Sequence, residues 1–275
     1  MGAARRIVVV ADDLGCSKGT VEGIAIAARA GFVREASVMA TGLAVEQGIE
    51  ACADLGLGLH LCLTQGRSLS GRIRGLTDRQ GAFLGLRRAL TAAWARRIDR
   101  GDLRREIEAQ FDRLERLGVR PTHVNGHHHA HCFPIVRDVL AEIAEAHGVR
   151  WTRLPDDLIA RGCAAFLLRR LAIGARRGMS ERGLRSHPFL GLSLETRLDH
   201  RARFAAAIAS LAAGDYELMV HPRVPEEDFA RLDPAGGRRD EAARAELATL
   251  TDEGLLRELR ASGVRIARFA EIRGA

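Results

Sequence analysis

A short apolar run, a loop, an amphipathic helical stretch and a glycine recur along this chain of 275 residues. The run IVVVA at 7–11 precedes the helical GTVEGIAIAARAG, and ASVMAT precedes AVEQGIEACADLG. LGLGLHLCLT, THVNGH, VRWTRLP, YELMVHP and VRIARF supply further strand candidates, with a weaker one near LRSHPFLG. Helices are expected to stop at Gly31, Gly56, Gly118, Gly148, Gly214 and Gly263, because glycine accepts the positive φ that follows a last turn. Strands that alternate with helices need crossover connections, hence a parallel sheet. Seven or eight such units predict an α/β fold: a single-domain (β/α) barrel over 1–275, distorted or incompletely closed. Neither GxGxxG nor GxxxxGK[ST] follows the first strand, so the usual nucleotide-binding sheets lose support.

Residues 65–100 break the rhythm with glycines, arginines, Phe83 and Trp94. Coming after the third strand, this insertion is expected over the C-terminal face, where barrel active sites are built. A lid and a loop carrying a surface helix both fit it, and Arg67, Phe83 and Trp94 are its candidates for touching substrate or a sister subunit. A second long loop is expected over 223–240.

Hydrophobic residues make up 47% and charged residues 28%, a globular profile without signs of disorder. The net charge of +7 invites a nucleic-acid reading, since clustered Lys and Arg are the footprint of phosphate binding. Lys18 is the sole lysine, and many arginines lie beside acids, as in DLRREIEAQFDRLERLG, where i to i+4 pairs make a solvated face. Aromatics, at 4%, show no stacking platform, so no nucleic-acid partner is expected. Cys16, Cys52, Cys62, Cys132 and Cys163 are odd in number and form no CxxC pair, which suits a reducing cytoplasm better than a disulfide framework. The apolar run behind Arg5 and Arg6 is too short for a signal peptide or a membrane span.

Two adjacent carboxylates, Asp12 and Asp13, end the first strand. Neighbouring side chains there diverge, so one can bind and the other move a proton; the alternative is that Asp13 or Ser17 caps the next helix. His60 lies inside an apolar strand, where a lone histidine is more often structural than a ligand. HVNGHHHAH, residues 123–131, holds five of the ten histidines. If 122–127 is a strand, His123, Asn125 and His127 share a face, with His127 near its C-terminal end and Pro134 opening the next helix. Asp13, His60 and His127 from three strand ends make a carboxylate-and-two-imidazole metal site with positions left for water and substrate. His129 and His131 are expected as substrate-side or orienting groups beside Asn125. His221 ends another apolar strand, at the rim, where it can protonate a leaving group. Arg153 ends the strand of VRWTRLP and can hold a carboxylate such as Asp12 in a bidentate contact.

ADDLGCSKG, LGLHLCLT, THVNGHHHAHCFP and the late VHP together resemble the YdjC-like carbohydrate deacetylases, in order and spacing from about residue 6 to 222. The resemblance implies a β/α-barrel-like fold and a metal-dependent enzyme that removes acetyl groups from N-acetylated sugars such as chito-oligosaccharides. It also implies Asp13, His60 and His127 as metal ligands, Asp12 as general base, and magnesium as the ion. Two imidazoles and a carboxylate suit zinc or another transition ion better, so the divalent ion stays open. The chain departs from the family at Leu14, where Phe is common, at Asn125-Gly126, where Asp-Ser is common, and at Arg223, where Gly is common. The Asn form is similar to a hopanoid-associated branch, so the substrate need not be a chitin fragment.

The expectation is therefore hydrolytic de-N-acetylation of an amino sugar or its conjugate, with Asp12 and His221 moving protons and a homodimer as a further expectation. Two rivals remain: a barrel phosphoesterase, which would recruit a second ion and more carboxylates, and a non-catalytic arginine-rich anion-binding protein, whose binding would weaken steeply with salt.

Overall fold

The computed structural model describes residues 5–194, 197–226 and 236–272. Its strands are β1 (Arg5–Leu14), β2 (Glu35–Val38), β3 (Gly56–Leu61), β4 (His123–Gly126), β5 (Trp151–Thr152), β6 (Phe189–Leu190), β7 (Gly214–Val220) and β8 (Val264–Ile266). Seven of them lie in the order β5-β4-β3-β2-β1-β7-β6, all parallel, and β8 pairs with the first residues of β1. The two ends of this path meet through a parallel bridge between Trp151 and Arg185, on the segment that enters β6. Thr152 N–H donates to Arg185 O at 2.8 Å and Arg185 N–H to Arg150 O at 2.8 Å. The curled sheet is thus a distorted β/α barrel, joined by a single bridge where an eighth strand pair would close it.

Helices α1 (Lys18–Arg29), α2 (Val45–Ala51), α3 (Leu86–Trp94), α4 (Arg100–Arg116), α5 (Val136–Ala146), α6 (Cys163–Glu181), α7 (His200–Ala209), α8 (Gly236–Thr249) and α9 (Glu253–Ala261) run between or after the strands. Their ends follow local chemistry. Ser17 caps α1 in a reciprocal pair with Thr20, Asp99 caps α4 and Asp252 caps α9, each offering an oxygen to an otherwise unpaired N–H. Gly31, Gly118, Gly148 and Gly263 take positive φ after helices. Gly56 and Gly214 instead open strands, and at Gly56 a Cβ would stand 2.0 Å from Glu35 Oε2, so close approach of a side chain demands the glycine. Pro134 precedes its helix rather than opening it: α5 begins at Val136, after Ile135 at φ 65°. The second long loop falls partly on 227–235, outside the described residues, and α8 begins within its expected range.

Successive side chains of a strand point to opposite faces, and here the two faces carry different chemistry. Ile7, Val9 and Ala11 of β1, Ala36 and Val38 of β2, Leu57, Leu59 and Leu61 of β3, and Tyr216, Leu218 and Val220 of β7 join one large apolar core with the helices. The alternate positions turn into the barrel. Val8, Val10 and Trp151 meet Ala267, Phe269 and Ile272 of the C-terminal segment in a small separate core. Phe269 stacks on Trp151 with centroids 5.5 Å apart and lies 4.9 Å from the His123 ring, so the N-terminal end of the barrel is filled. Above that floor the same alternation presents Asp12, Ser37, His60, Asn125, Arg153 and Glu217, all buried.

Candidate metal and catalytic site

The pairing of β1 with β2 shifts register between Ala11 and Leu14, and Asp13 in that irregularity sits at φ 64°. A non-glycine residue in the left-handed region is costly and is tolerated mostly at functional sites. Ser17 takes the capping role on α1, so Asp13 is turned to other partners. Its Oδ1 lies 3.0 Å from His127 Nδ1 and 3.0 Å from His60 Nε2. One donor atom from each of Asp13, His60 and His127 falls within 4.8 Å of the other two, the one such grouping among the described residues.

These side chains fit a divalent ion on the chemistry of their atoms. His60 Nδ1 is 2.7 Å from Asn125 Oδ1, an acceptor only, so His60 carries its proton on Nδ1 and turns the lone pair of Nε2 towards Asp13. That Nε2 is buried and has no hydrogen-bond partner, although Asp13 Oδ1 stands 3.0 Å away. His127 Nε2 lies 2.8 Å from Gln65 Oε1, which again fixes the proton on the outer nitrogen and leaves Nδ1 facing Asp13. Outer partners of this kind orient metal-binding imidazoles. Burial opposes ionisation of Asp13, but the His127 and His60 rings outweigh it and hold its carboxyl well below the usual range. Burial likewise opposes charging of His60, yet Asp12 and Asp13 raise its pKa. The buried Asp13 carboxylate calls for a nearby cation, and a bound ion supplies that charge without protonating the ring.

Asp12 belongs to a second network. Its Oδ1 accepts from Ser37 Oγ at 2.9 Å, Asn125 Nδ2 at 2.9 Å and Arg153 Nη2 at 3.0 Å, while its Oδ2 meets Arg153 Nη1. Arg153 Nε donates to Glu217 Oε1 at 2.6 Å, and all three charged groups are buried. Burial opposes ionisation of Asp12, but Arg153, with help from His60 and His221, keeps its carboxyl far below the ordinary value. Burial raises the pKa of Glu217 against the pull of the same guanidinium. Asn125 joins the two networks: its carbonyl oxygen takes the His60 proton and its amide gives one to Asp12. An aspartate at 125 would set a second carboxylate against Asp12 Oδ1, so the amide serves here where an acid would repel.

The remaining histidines take separate places. His221, just beyond β7, has Nε2 3.9 Å from Asp12 Oδ2 with its side chain 31% exposed, and its backbone N–H donates to Glu246 Oε1 at 2.7 Å. His127–Cys132 form a 3-10 turn in which His128 and His129 take φ of 53° and 55°. His128 Nδ1 is 2.9 Å from Thr64 Oγ1. His129 is buried at the cavity wall, and burial followed by the charges of His131 and Arg153 depresses its pKa, so the ring is neutral. His131 donates from Nε2 to Arg153 O at 2.8 Å; burial lowers its pKa to about 3. His123 faces the barrel floor against Phe269, with a pKa lowered, chiefly by burial, to about 3.

Asp12, His60, His127 and His221 open onto a cavity of about 400 Å³. Its polar floor contrasts with walls of Leu86 and Leu90 from α3, Leu167 and Leu168 from α6, and Met219. Residues 65–100 therefore contribute to the cavity through α3, whereas Arg67 and Phe83 pair within the insertion, with Ala82 and Thr77. Sequence reasoning passed over Ser37, Gln65 and Glu217. Ser37 and Glu217 carried a usable signal, a polar residue in an apolar strand two positions from an inward one; Gln65 carried none.

The profile of the family described as YdjC-like protein matches residues 6–261. The carbohydrate deacetylase of Homo sapiens is 36% identical over 255 residues, which cover 84% of this chain and 77% of that protein. The carbohydrate deacetylase of Geobacillus stearothermophilus is 31% identical over 271 residues, covering 97% of this chain and 98% of that one. Among solved structures, a protein of Enterococcus faecalis V583 provisionally assigned to cellobiose-phosphate cleavage has a TM-score of 0.75 at 17% identity, over 98% of this chain and 99% of its own. That last likeness is one of fold.

Proposed function

Because the chain belongs to the YdjC-like family, we propose that it is a metal-dependent carbohydrate deacetylase, a hydrolase that frees acetate from an N-acetylated amino sugar or its conjugate. The observation that carries this reading is the meeting of Asp13, His60 and His127 beside a separately held Asp12 at the floor of one cavity. Asp13, His60 and His127 would hold one divalent ion. Once bound, such an ion polarises the acetamide carbonyl and lowers the pKa of a water.

The chain's own groups do the rest. Asp12 is the general base: Arg153 keeps it ionised and fixed, three donors occupy Oδ1, and Oδ2, which accepts from Arg153 Nη1 alone, faces His221 with a lone pair left to take the proton of the attacking water. His221 is the general acid, giving a proton to the nitrogen as the C–N bond breaks, so that acetate and a free amine leave. Asn125 and His131 are positioning residues, one spanning His60 and Asp12, the other holding the Arg153 backbone. His129 offers a neutral ring to the substrate. The donor set favours zinc or another transition ion, although family resemblance implies magnesium. Free cysteines throughout accord with a cytoplasmic setting.

Asp12→Asn tests the assignment. The variant should retain its metal, read as ion per chain, and lose about 10²–10⁴-fold in acetate release from N-acetylated sugars. Normal turnover by the variant would remove Asp12 as base. Phosphate-ester hydrolysis by the wild type, with two ions per chain and no acetate released, would replace the whole reading by the phosphoesterase.

A further inference from the structure

The charge of this protein is unevenly placed. Residues 84–97 and 158–180 carry nine arginines and no acid, while the rest of the chain carries 33 basic and 35 acidic side chains. The net positive charge is thus concentrated in two segments, with Asp99, Asp156, Asp157 and Glu181 just beyond their edges. Both border the same opening: α3 supplies Leu86 and Leu90 to the catalytic cavity, and the 158–180 segment supplies Arg161, Ala164, Leu167 and Leu168. The solvated-face pattern does hold on α4, where Arg104 pairs with Glu108 and Arg105 with Asp102. At the mouth it holds only for Arg176, paired with Asp156, and Arg177, paired with Glu181.

The same two segments gather apolar surface. Of eight strongly exposed large apolar side chains among the described residues, six are here: Leu86, Trp94, Leu158, Phe166, Leu167 and Ile173. Trp94 is 59% exposed, Phe166 67% and Ile173 56%. On α6, Phe166, Arg170 and Ile173 succeed one another at helical spacing, so apolar and cationic groups share one stripe, which ends at Arg177 and its partner Glu181. Water alone gives no reason to expose such side chains together, and a patch of this kind marks an interaction site. Nucleic acid would use the arginines but leave Phe166, Ile173 and the leucines in contact with phosphate. An anionic bilayer uses both, the guanidinium groups at the headgroups and the apolar groups at the acyl boundary.

We propose that the rim of the catalytic cavity, formed by α3 and the 158–180 segment, is a peripheral docking surface for an anionic phospholipid bilayer. No helix among the described residues is long and apolar enough to cross a membrane, so the contact is an interfacial one. It brings the cavity mouth against the lipid surface. The inference stands on charge and exposure at the rim and is independent of the reaction catalysed.

The test is sedimentation of the full chain with vesicles of phosphatidylcholine, alone or mixed with phosphatidylglycerol. The mixed vesicles should bind it at least about tenfold more tightly, with the preference fading as salt is raised. Trp94, the exposed one of two tryptophans, should shift to shorter wavelength and become shielded from a soluble quencher, while buried Trp151 stays silent. Arg88→Gln with Arg170→Gln should weaken binding by about tenfold or more, and so should Phe166→Ser with Ile173→Ser. Acetate release from a soluble substrate and the Tm should be unchanged in both pairs. Three results would each overturn the inference: equal binding to neutral vesicles, full retention of binding by the Phe166/Ile173 pair, or a dimer of the wild type that the same pair converts to monomer.

Discussion

Glu35 offers a sharp check on how the barrel interior sets its energetics. Its Oε1 accepts the Phe269 N–H at 3.0 Å, Thr122 Oγ1 is 3.4 Å from Oε2, and the residue is 2% exposed beneath the polar layer of the barrel. Burial pushes its pKa up from 4.5 to about 7, against smaller lowering effects from the Phe269 N–H and Arg268. Between these two values the folded chain binds more protons at this site than the unfolded chain, so its stability falls as pH rises through the window and levels off above it. With both values converted, the ionised group costs roughly 3 kcal/mol at pH 8 and under about 1 kcal/mol at pH 5. Glu35→Gln keeps the acceptor for Phe269 and removes the charge. Urea unfolding followed by Trp151 fluorescence should show the variant roughly 2–3 kcal/mol more stable than wild type at pH 8, with the gain shrinking to under about 1 kcal/mol at pH 5. A gain that does not change with pH, or a loss at pH 8, would refute the claim that burial dominates this carboxyl.

Gln65→Ala should weaken metal binding by about 10–100-fold in a competition titration, because His127 loses the acceptor that fixes its proton. A chelator should lower wild-type stability by about 2.7 kcal/mol relative to protein with metal at a hundred times its Kd, and should leave His60→Ala unmoved. Gly23→Ala on α1 would set a Cβ 2.4 Å from Arg223 Cα and 2.6 Å from Pro222 O. Displacing the segment next to His221 should cost about 1–3 kcal/mol in thermal unfolding and reduce kcat; an unchanged enzyme would refute the close packing.

Much of the architecture was written in local pattern. The apolar runs and the helix-ending glycines at 31, 118, 148 and 263 are nearest-neighbour effects, and they place the strands to within a few residues. The polar residues inside those runs were legible one by one, as with Asp12, His60 and Arg153. Their alternation was less so: Glu217 stands out as polar between Tyr216 and Leu218, but its inward phase is fixed only once β7 lies beside β1. Gln65 had no local mark, since a glutamine after a strand is ordinary until a histidine 62 positions later comes within 2.8 Å. The arginines of α3 and α6 were visible as residues, but the two runs are some seventy positions apart and acquire a joint meaning only where both helices meet the cavity.

What the chain determined by itself is therefore the set of β/α units, their parallel order, and the kinds of side chain carried to strand ends, because periodicity and capping act over a few residues. Tertiary structure decided which of those side chains face one another: Ser17 rather than Asp13 on the helix end, Asn125 between His60 and Asp12, and a barrel ring joined by one bridge at Trp151 and Arg185. The physical reason is distance. Coordination, ion pairing and burial depend on separations of a few ångströms between residues far apart in the chain, and only the closed curvature of the sheet supplies them.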